Sequence, residues 1–173
     1  MEFRYVGKTF ERTDGYAKVT GAAQYVADIK LPRMLHAQIL RPELAHARIQ
    51  SIDTSEAERS EGVYRVVTGR DYPILFAAAG FYDQSPLAVD KVRHGGEPVA
   101  AVIADTLDHA NKVLPKIRVV YEPLPVLLDP AEAARNKDVL IHERLGEYRH
   151  LGSHFPEPGT NIFHHYRLRK GDI

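Results

Sequence analysis

The sequence contains no cysteine, and this absence removes several classes of function. Disulfide bonds, zinc–thiolate sites, iron–sulfur ligation and a cysteine nucleophile are all excluded within these 173 residues. A chain without thiols also suits a reducing compartment, so we expect a cytoplasmic protein.

The sequence also lacks an excess of either charge, because 23 basic side chains balance 23 acidic ones. A neutral chain offers no electrostatic surface for nucleic acid or for an anionic membrane, and we expect neither as a partner. With no net charge, copies of the chain repel one another only weakly. We therefore expect the isolated domain to self-associate or to lie against another protein.

Long hydrophobic runs are missing too. The N-terminus has no apolar run of signal-peptide length, and no stretch approaches the roughly 18 apolar residues that a membrane-spanning helix needs. Hydrophobic residues nevertheless make up 44% of the chain and charged residues 27%, as in ordinary globular domains. The length predicts one domain, or one domain followed by a tail.

The residues that are present predict a mixture of strands and short helices. Alternating patterns and β-rich apolar runs predict strands at residues 22–28, 34–40, 45–52, 63–68, 99–104, 116–122 and 161–169. The short gap between the second and third of these predicts a hairpin. Capping residues and helical periodicity predict short helices at 55–60 and 131–135 and one main helix at 106–114. Together they predict an α+β fold, with a mixed β-sheet and a few short helices.

One long segment departs from this pattern. Residues 69–90 are punctuated by glycine and proline, yet they carry Leu75, Phe76, Phe81 and Tyr82. We expect a loop that exposes these four side chains. An apolar loop of this length is unfavourable in water unless something covers it, so such loops are usually functional or docked on a partner.

Three common kinds of functional site are disfavoured because their sequence motifs are incomplete or absent. Gly95 and Gly96 precede the strand at 99–104, whereas a dinucleotide-binding loop needs its glycines after the strand. His150 and His154 have helical spacing in a segment too rich in proline and glycine to be a helix. No serine lies in a Gly-x-Ser-x-Gly elbow. A metal-binding protein that uses the C-terminal histidines stays open as an alternative, which titration with Zn²⁺ would test.

Short motifs in a fixed order carry a family resemblance along nearly the whole chain. They are KVTGAAQYVAD at 18–28, PRMLHA at 32–37, AHARI at 45–49, TGRDYP at 68–73, KVR at 91–93, GEPVAAV at 96–102, VVYEPLP at 119–125, IHE at 141–143, NI at 161–162 and GD at 171–172. This series resembles the molybdenum hydroxylases, which include xanthine dehydrogenase, aldehyde oxidase, the aerobic carbon monoxide dehydrogenase large subunit and 4-hydroxybenzoyl-CoA reductase. Residues 146–158 depart from the family pattern and resemble a subfamily-specific insertion.

The resemblance implies an α/β hammerhead domain over residues 1–170. Residues 1–20 would be an extended lead-in and 142–173 an irregular tail towards further domains. The implied parent is an oxidoreductase that inserts water-derived oxygen into a C–H bond of a purine, an N-heterocycle or an aldehyde. The chain stops at Gly171-Asp172-Ile173, which the resemblance identifies as a linker, so we expect a longer parent protein.

The same resemblance implies which parts of the parent hold the cofactors. In this family the molybdopterin cytosine dinucleotide and the base-like glutamate belong to later domains of the subunit, while the 2Fe-2S clusters and FAD lie on other domains or subunits. These domains and subunits are the expected partners. We assign no catalytic, cofactor-binding or metal-binding residue to this chain, and we expect it to be inactive and free of molybdenum by itself.

The candidate site residues are Leu75, Phe76, Phe81 and Tyr82, because the family's loop corresponding to residues 72–86 runs near the substrate funnel. These side chains either wall the path of a flat substrate or dock this domain onto the cofactor-binding domains. Docking is favoured, since large apolar patches mark interfaces more often than pockets. A non-enzymatic alternative is a stand-alone protein-binding or assembly module, and the codons that follow Ile173 would discriminate between the two.

Overall fold

The computed structural model describes residues 3–78, 80–152, 155–166 and 168–171. The chain divides into two units, Met1–Met34 and Leu35–Ile173. Ala79, His154, Arg167 and the residues after Gly171, on which parts of the sequence predictions fall, lie outside the described residues.

The first unit is a short stretch with one α-helix, α1 (Gly15–Val19), and a 3-10 turn at Val26–Asp28. An ion pair of 2.6 Å between Asp14 and Lys18 spans the single helical turn. The predicted extended lead-in is therefore wrong over α1. The predicted strand at 22–28 is also wrong, because the Asp28 carboxylate accepts a hydrogen bond from the Tyr25 amide and closes a turn there.

The second unit holds the remaining elements. Its strands are β1 (His36–Leu40), β2 (Ala47–Asp53), β3 (Val63–Thr68), β4 (Phe76–Ala78), β5 (Phe81–Gln84), β6 (Lys91–Val92), β7 (Ala100–Ala104) and β8 (Arg118–Pro123). Its helices are α2 (Ser55–Glu58), α3 (Leu107–Val113) and α4 (Pro130–Arg135), with 3-10 turns at Leu114–Lys116 and Leu145–Glu147. The α+β prediction is confirmed, and α3 is the predicted main helix.

The strands form three antiparallel sheets, with the orders β1-β7-β3, β6-β2-β8 and β4-β5. The predicted hairpin between the second and third predicted strands is wrong, since β1 pairs with β7 and β2 pairs with β8. The turn before β7 lies against the end of β1, where the Val99 amide donates to the Leu40 carbonyl at 2.9 Å. The apolar strand β7 thereby takes the central place in its sheet.

Helix α3 packs on this first sheet and helps to form the main core. Thr106 caps the helix by accepting a hydrogen bond from the His109 amide. Ala110 and Val113 are buried, whereas Leu107, which the periodicity places in the same stripe, is 47% exposed. Because β7 and β8 belong to different sheets, α3 connects two sheets rather than two neighbours in one sheet. This topology is unlike a dinucleotide-binding βαβ unit.

Side-chain hydrogen bonds hold the tail, which is the part of the chain after α4, in place. Residues 161–166 and 168–169 form no strand, so the predicted strand is wrong over the part of it that the structure describes. Asn161 instead accepts from the Ile141 amide and donates to the carbonyls of Ala133 and Val139. Within the described ranges, no helix is long and apolar enough to cross a lipid bilayer.

Candidate functional site

The segment predicted as an apolar loop contains a β-hairpin. Strands β4 and β5 pair through Phe76 with Gln84 and through Ala78 with Phe81. Gly80 lies at the turn with a φ of 87°, a conformation that glycine adopts without steric cost. At the base of this excursion, a Cβ atom added to Gly69 would lie 2.5 Å from the Ala88 carbonyl oxygen. The two ends of the segment that carries the hairpin, at Gly69 and Ala88, therefore lie next to each other.

The four predicted site residues do not share one environment. Leu75 and Phe76 are 43% and 45% exposed, and Tyr82 is partly buried. The expectation that Phe81 is exposed is wrong, because its side chain is only 1% exposed. The exposed apolar surface extends instead towards Tyr72 and Ile74, which the sequence analysis did not single out. We call Tyr72, Ile74, Leu75 and Phe76 the apolar strip.

Phe81 is buried by aromatic side chains of the tail. Tyr148 and Phe163 approach its ring edge-on, with centroids at 5.9 and 5.7 Å, and His150 stacks on it at 5.8 Å. Leu145 completes the buried cluster. Edge-on and stacked pairs at these distances are favourable beyond their area of contact. The aromatic residues of the tail are visible in the sequence, but the sequence does not show that they pack on Phe81 of the hairpin.

The tail also hydrogen bonds to the hairpin through its backbone. The Tyr82 amide donates to the Arg149 carbonyl at 2.9 Å, and the Leu151 amide donates to the Gly80 carbonyl at 3.0 Å. Phe81 and His150 form an antiparallel bridge. Residues 148–151, within the segment interpreted as an insertion, thus lie beside β5 in the manner of a third strand.

An open cavity of about 380 Å³ lies between the hairpin and the tail. Leu75, Tyr82 and Tyr148 supply its apolar lining, and its charged groups are Arg144, Arg149 and Glu147. The Arg144 guanidinium lies 3.9 Å from the Glu147 carboxylate. The Arg149 guanidinium lies 4.9 Å from the centroid of the Tyr82 ring, a cation–π distance. This arrangement can hold a flat molecule against the Tyr82 side of the hairpin.

A second cavity, of about 290 Å³, lies on the Phe76 side of the hairpin. Asp83, Arg93 and His142 are among its polar residues. Burial raises the pKa of Asp83. Burial, followed by the charges of Arg93 and Lys91, lowers the pKa of His142 to about 4, so its imidazole is neutral at neutral pH. The cavity therefore combines a cation, a carboxyl group and a neutral imidazole beside an exposed aromatic ring.

A charged cluster anchors the start of the tail. The Lys91 ammonium donates to the Glu143 carboxylate at 2.9 Å and to the Leu140 carbonyl at 2.7 Å. Arg48 pairs with the same carboxylate at 3.1 Å. This role was not predicted from the sequence, where residues 141–143 were named only as one motif of the family resemblance.

The described residues offer no group of three or more histidine, cysteine, aspartate or glutamate side chains that could hold a metal ion. His150 stacks on Phe81, and His165 pairs with Glu157 at 2.5 Å. Among the described residues, the two cavities thus offer no three-donor set for a metal ion.

Comparison with known proteins identifies relatives over most of the chain. It is 41% identical over 134 residues to a probable xanthine dehydrogenase subunit of Bacillus subtilis, a match that covers 76% of this chain and 18% of the relative. It is 36% identical over 167 residues to the carbon monoxide dehydrogenase large chain of Afipia carboxidovorans, covering 94% of this chain and 20% of the relative. The chain thus spans about one fifth of these relatives.

A solved structure shares the fold. The crystal structure of the Cu,Mo-CO dehydrogenase in its carbon monoxide reduced state matches with a TM-score of 0.68 and 38% identity, over 74% of this chain and 17% of that one. Residues 20–125 match the family described as aldehyde oxidase and xanthine dehydrogenase, a/b hammerhead domain. These residues contain β1 to β8 and α3, and so the chain belongs to the hammerhead-domain family of the aldehyde oxidases and xanthine dehydrogenases.

Proposed function

We propose that this chain is the hammerhead part of the molybdopterin-binding subunit of a molybdenum hydroxylase. The parent enzyme would hydroxylate a purine, an N-heterocycle or an aldehyde with oxygen from water, in the cytoplasm. Support comes from the family membership and from relatives named as dehydrogenase subunits, of which this chain spans about one fifth. In this proposal the chain is a scaffold without catalytic residues.

The cofactors of the proposed enzyme are assigned to other polypeptide. Molybdopterin cytosine dinucleotide with its molybdenum would be bound by further domains of the same subunit, and the 2Fe-2S clusters and FAD by other domains or subunits. This assignment agrees with the absence of cysteine from the sequence and with the lack of a three-donor group among the residues that the structure describes.

The apolar strip carries the proposal that this domain docks onto the cofactor-binding domains. Leu75 and Phe76 remain 43% and 45% exposed while Phe81 on the paired strand β5 is fully packed, so the hairpin is fixed but leaves apolar side chains in contact with solvent. Contiguous exposed apolar side chains on an ordered element are typical of a protein interface. Because Leu75 and Phe76 are already more than half buried, covering the rest of either side chain stabilises an interface by on the order of 1 kcal/mol.

A second role, as a wall of the substrate funnel, is favoured by the open cavity beside Tyr82. Leu75 and Tyr82 line this cavity, and Arg149 covers part of the Tyr82 ring. A flat heterocycle or aldehyde entering there would contact the Leu75 side chain and the Tyr82 ring beside the charged groups of Arg144, Glu147 and Arg149. The two roles are compatible, because the docking strip and the cavity share only Leu75.

Hydroxyl-radical footprinting tests the docking proposal, since it measures the solvent exposure of individual side chains. We expect oxidation of Phe76 in the 173-residue chain and strong protection of Phe76 in the full-length subunit. In the 173-residue chain, the oxidation of Phe76 is measured relative to that of Tyr64, which is 74% exposed on β3. Equal oxidation of Phe76 in both proteins would refute docking through the strip.

A matched pair of substitutions in the full-length subunit extends this test. Phe76→Asp places a charge in the proposed interface, and we expect loss of assembled subunit and of bound molybdenum. Tyr64→Asp introduces the same charge at another exposed aromatic position and should leave both unchanged. Activity of the unmodified subunit towards purines, nicotinate and aldehydes would then identify the substrate, and protection of Tyr82 by that substrate would support the funnel role.

A further inference from the structure

We infer that residues 148–151 of the tail set the position of the β4–β5 hairpin, with Tyr148 as a positioning residue for the apolar strip. This inference rests on the proposed function for its consequence in the enzyme, but its structural part concerns this chain alone. It assigns a role to a segment that the family resemblance leaves without one.

The contacts within the hairpin are few. Strand β4 has three residues and β5 has four, and they pair only with each other among the described strands. A two-stranded hairpin is marginal in water, whereas a third strand and an apolar face confer stability. The tail supplies both of these.

The third strand comes from two long-range backbone bonds. The Tyr82 amide donates to the Arg149 carbonyl, and the Leu151 amide donates to the Gly80 carbonyl. The two bonds lie on either side of the bridge between Phe81 and His150. They fix the register of β5 and the place of the turn at Gly80.

The apolar face comes from the packing of Tyr148 against Phe81. Tyr148 is 8% exposed, and its ring meets the Phe81 ring at an interplanar angle of 79°. Its hydroxyl lies 3.2 Å from Nδ1 of His142, and the two rings are also in edge-on contact. Glu143, next in sequence, is anchored to the buried Lys91. The hairpin is thus connected through the tail to the core strand β6.

The exposed apolar strip ends in β4, directly across the hairpin from β5. A change in the tail that shifts β5 therefore also shifts Leu75 and Phe76. In the proposed enzyme, residues 148–151 would determine how the strip and the adjoining cavity are presented. Substitutions there should alter substrate affinity or docking rather than the chemical step.

Hydrogen exchange on the 173-residue chain tests the structural part. Leu151→Pro removes the amide that bonds to Gly80, while Leu151→Ala keeps it, and the Leu151 side chain is 57% exposed. We expect exchange of the Tyr82 amide to rise on the order of tenfold in the proline variant, as for the loss of one hydrogen bond. The alanine variant should match the parent chain, and amides of β7 should not change in either.

A second pair checks the side-chain contact. Tyr148→Ala should accelerate exchange at Tyr82 and Leu151, and Tyr148→Phe should restore protection because the ring remains. Unchanged exchange in Leu151→Pro and Tyr148→Ala would overturn the inference. Simultaneous opening of β7 would overturn it too, since the hairpin would then not be held separately.

Kinetics of the full-length subunit test the consequence in the enzyme. We expect Leu151→Pro to raise KM several-fold with kcat nearly unchanged, and Leu151→Ala to leave both unchanged. A loss of kcat at constant KM, with kcat expressed per bound molybdenum, would refute the positioning role. If the hairpin loosens in the exchange experiment but KM does not move, the structural inference holds and the proposed role of the strip fails.

Discussion

Lys91 and Glu143 form an ion pair of 2.9 Å in which the Lys91 side chain is 1% exposed and the Glu143 side chain 42% exposed. Burial lowers the pKa of Lys91, against the opposing effect of Glu143. Burial alone would raise the pKa of Glu143, but hydrogen bonds from Lys91 and the backbone and the charges of Lys91 and Arg48 lower it. The buried ammonium is therefore the costly partner, and the carboxylate, which still reaches water, offsets that cost.

Removing the negative charge of this pair should destabilise the fold. We expect Glu143→Gln to lower the free energy of unfolding by about 1–2 kcal/mol, a value discounted for the exposure of Glu143. Urea denaturation followed by circular dichroism measures the change. Glu43→Gln, at an exposed position, is the control and should stay within about 0.5 kcal/mol of the parent chain.

The difference between Glu143→Gln and the parent chain should also depend on pH. Because the folded pKa of Glu143 is lowered, its contribution is fully present above the unfolded pKa of about 4.3 and is lost as the pH falls through the folded value. A difference in stability that grows on acidification would contradict this account.

The partly buried His142 should make the fold sensitive to mild acid. Its folded pKa of about 4 lies below the unfolded value of about 6.5, so the unfolded chain binds the proton more readily. Stability should be highest above pH of about 6.5 and should fall by up to about 3 kcal/mol as the pH approaches 4. His142→Gln should flatten this slope and the exposed control His94→Gln should keep it, as measured by urea denaturation at several pH values. An equally steep slope in His142→Gln would refute the assignment.

Gly69 lies too close to a neighbouring backbone to accept a side chain. A Cβ atom would lie 2.5 Å from the Ala88 oxygen and 2.7 Å from the Leu87 oxygen. Since backbone atoms cannot rotate away, we expect Gly69→Ala to cost about 1–3 kcal/mol, visible as a lower melting temperature. Gly95→Ala is the control, because an added Cβ there meets nothing within 4 Å. Equal melting temperatures for the two variants would contradict the close approach.

Asn161 should be intolerant of a negative charge. Its side-chain amide donates to the carbonyls of Ala133 and Val139, and an aspartate would place an acceptor against these acceptors. We expect Asn161→Asp to cost about 2–3 kcal/mol at neutral pH and to loosen the tail in hydrogen exchange. Asn111→Asp, at an exposed position on α3, should have little effect on either measurement. A tail that keeps its protection in Asn161→Asp would show that these bonds are dispensable.

The second unit was largely predictable because its strands and α3 are local patterns. The continuous apolar run of β7 and the alternation in β1 each report a repeating environment, which periodicity can reveal. The predicted hairpin between the two strands around Pro42 failed for a different reason. Strand pairing depends on contacts between distant parts of the chain. Strand β7 is buried between β1 and β3, and both lie far from it in the sequence.

The candidate site was only partly predictable. Composition alone showed that residues 69–90 carry unusual apolar side chains, and Leu75 and Phe76 are exposed as expected. The burial of Phe81 was hidden, because its partners Tyr148 and Phe163 lie more than sixty residues away in a segment without periodicity. Such aromatic contacts have no signature in a single sequence.

The close approach of Gly69 to Leu87 and Ala88 has a consequence for how such a domain can diversify. A stretch whose two ends meet can be exchanged for one of another size without disturbing the framework that carries it. Doubling its length would add only about 0.6 kcal/mol of closure entropy. The segment between these residues can therefore be replaced as a unit. A grafted segment would need only a compatible stretch of tail to hold it in place.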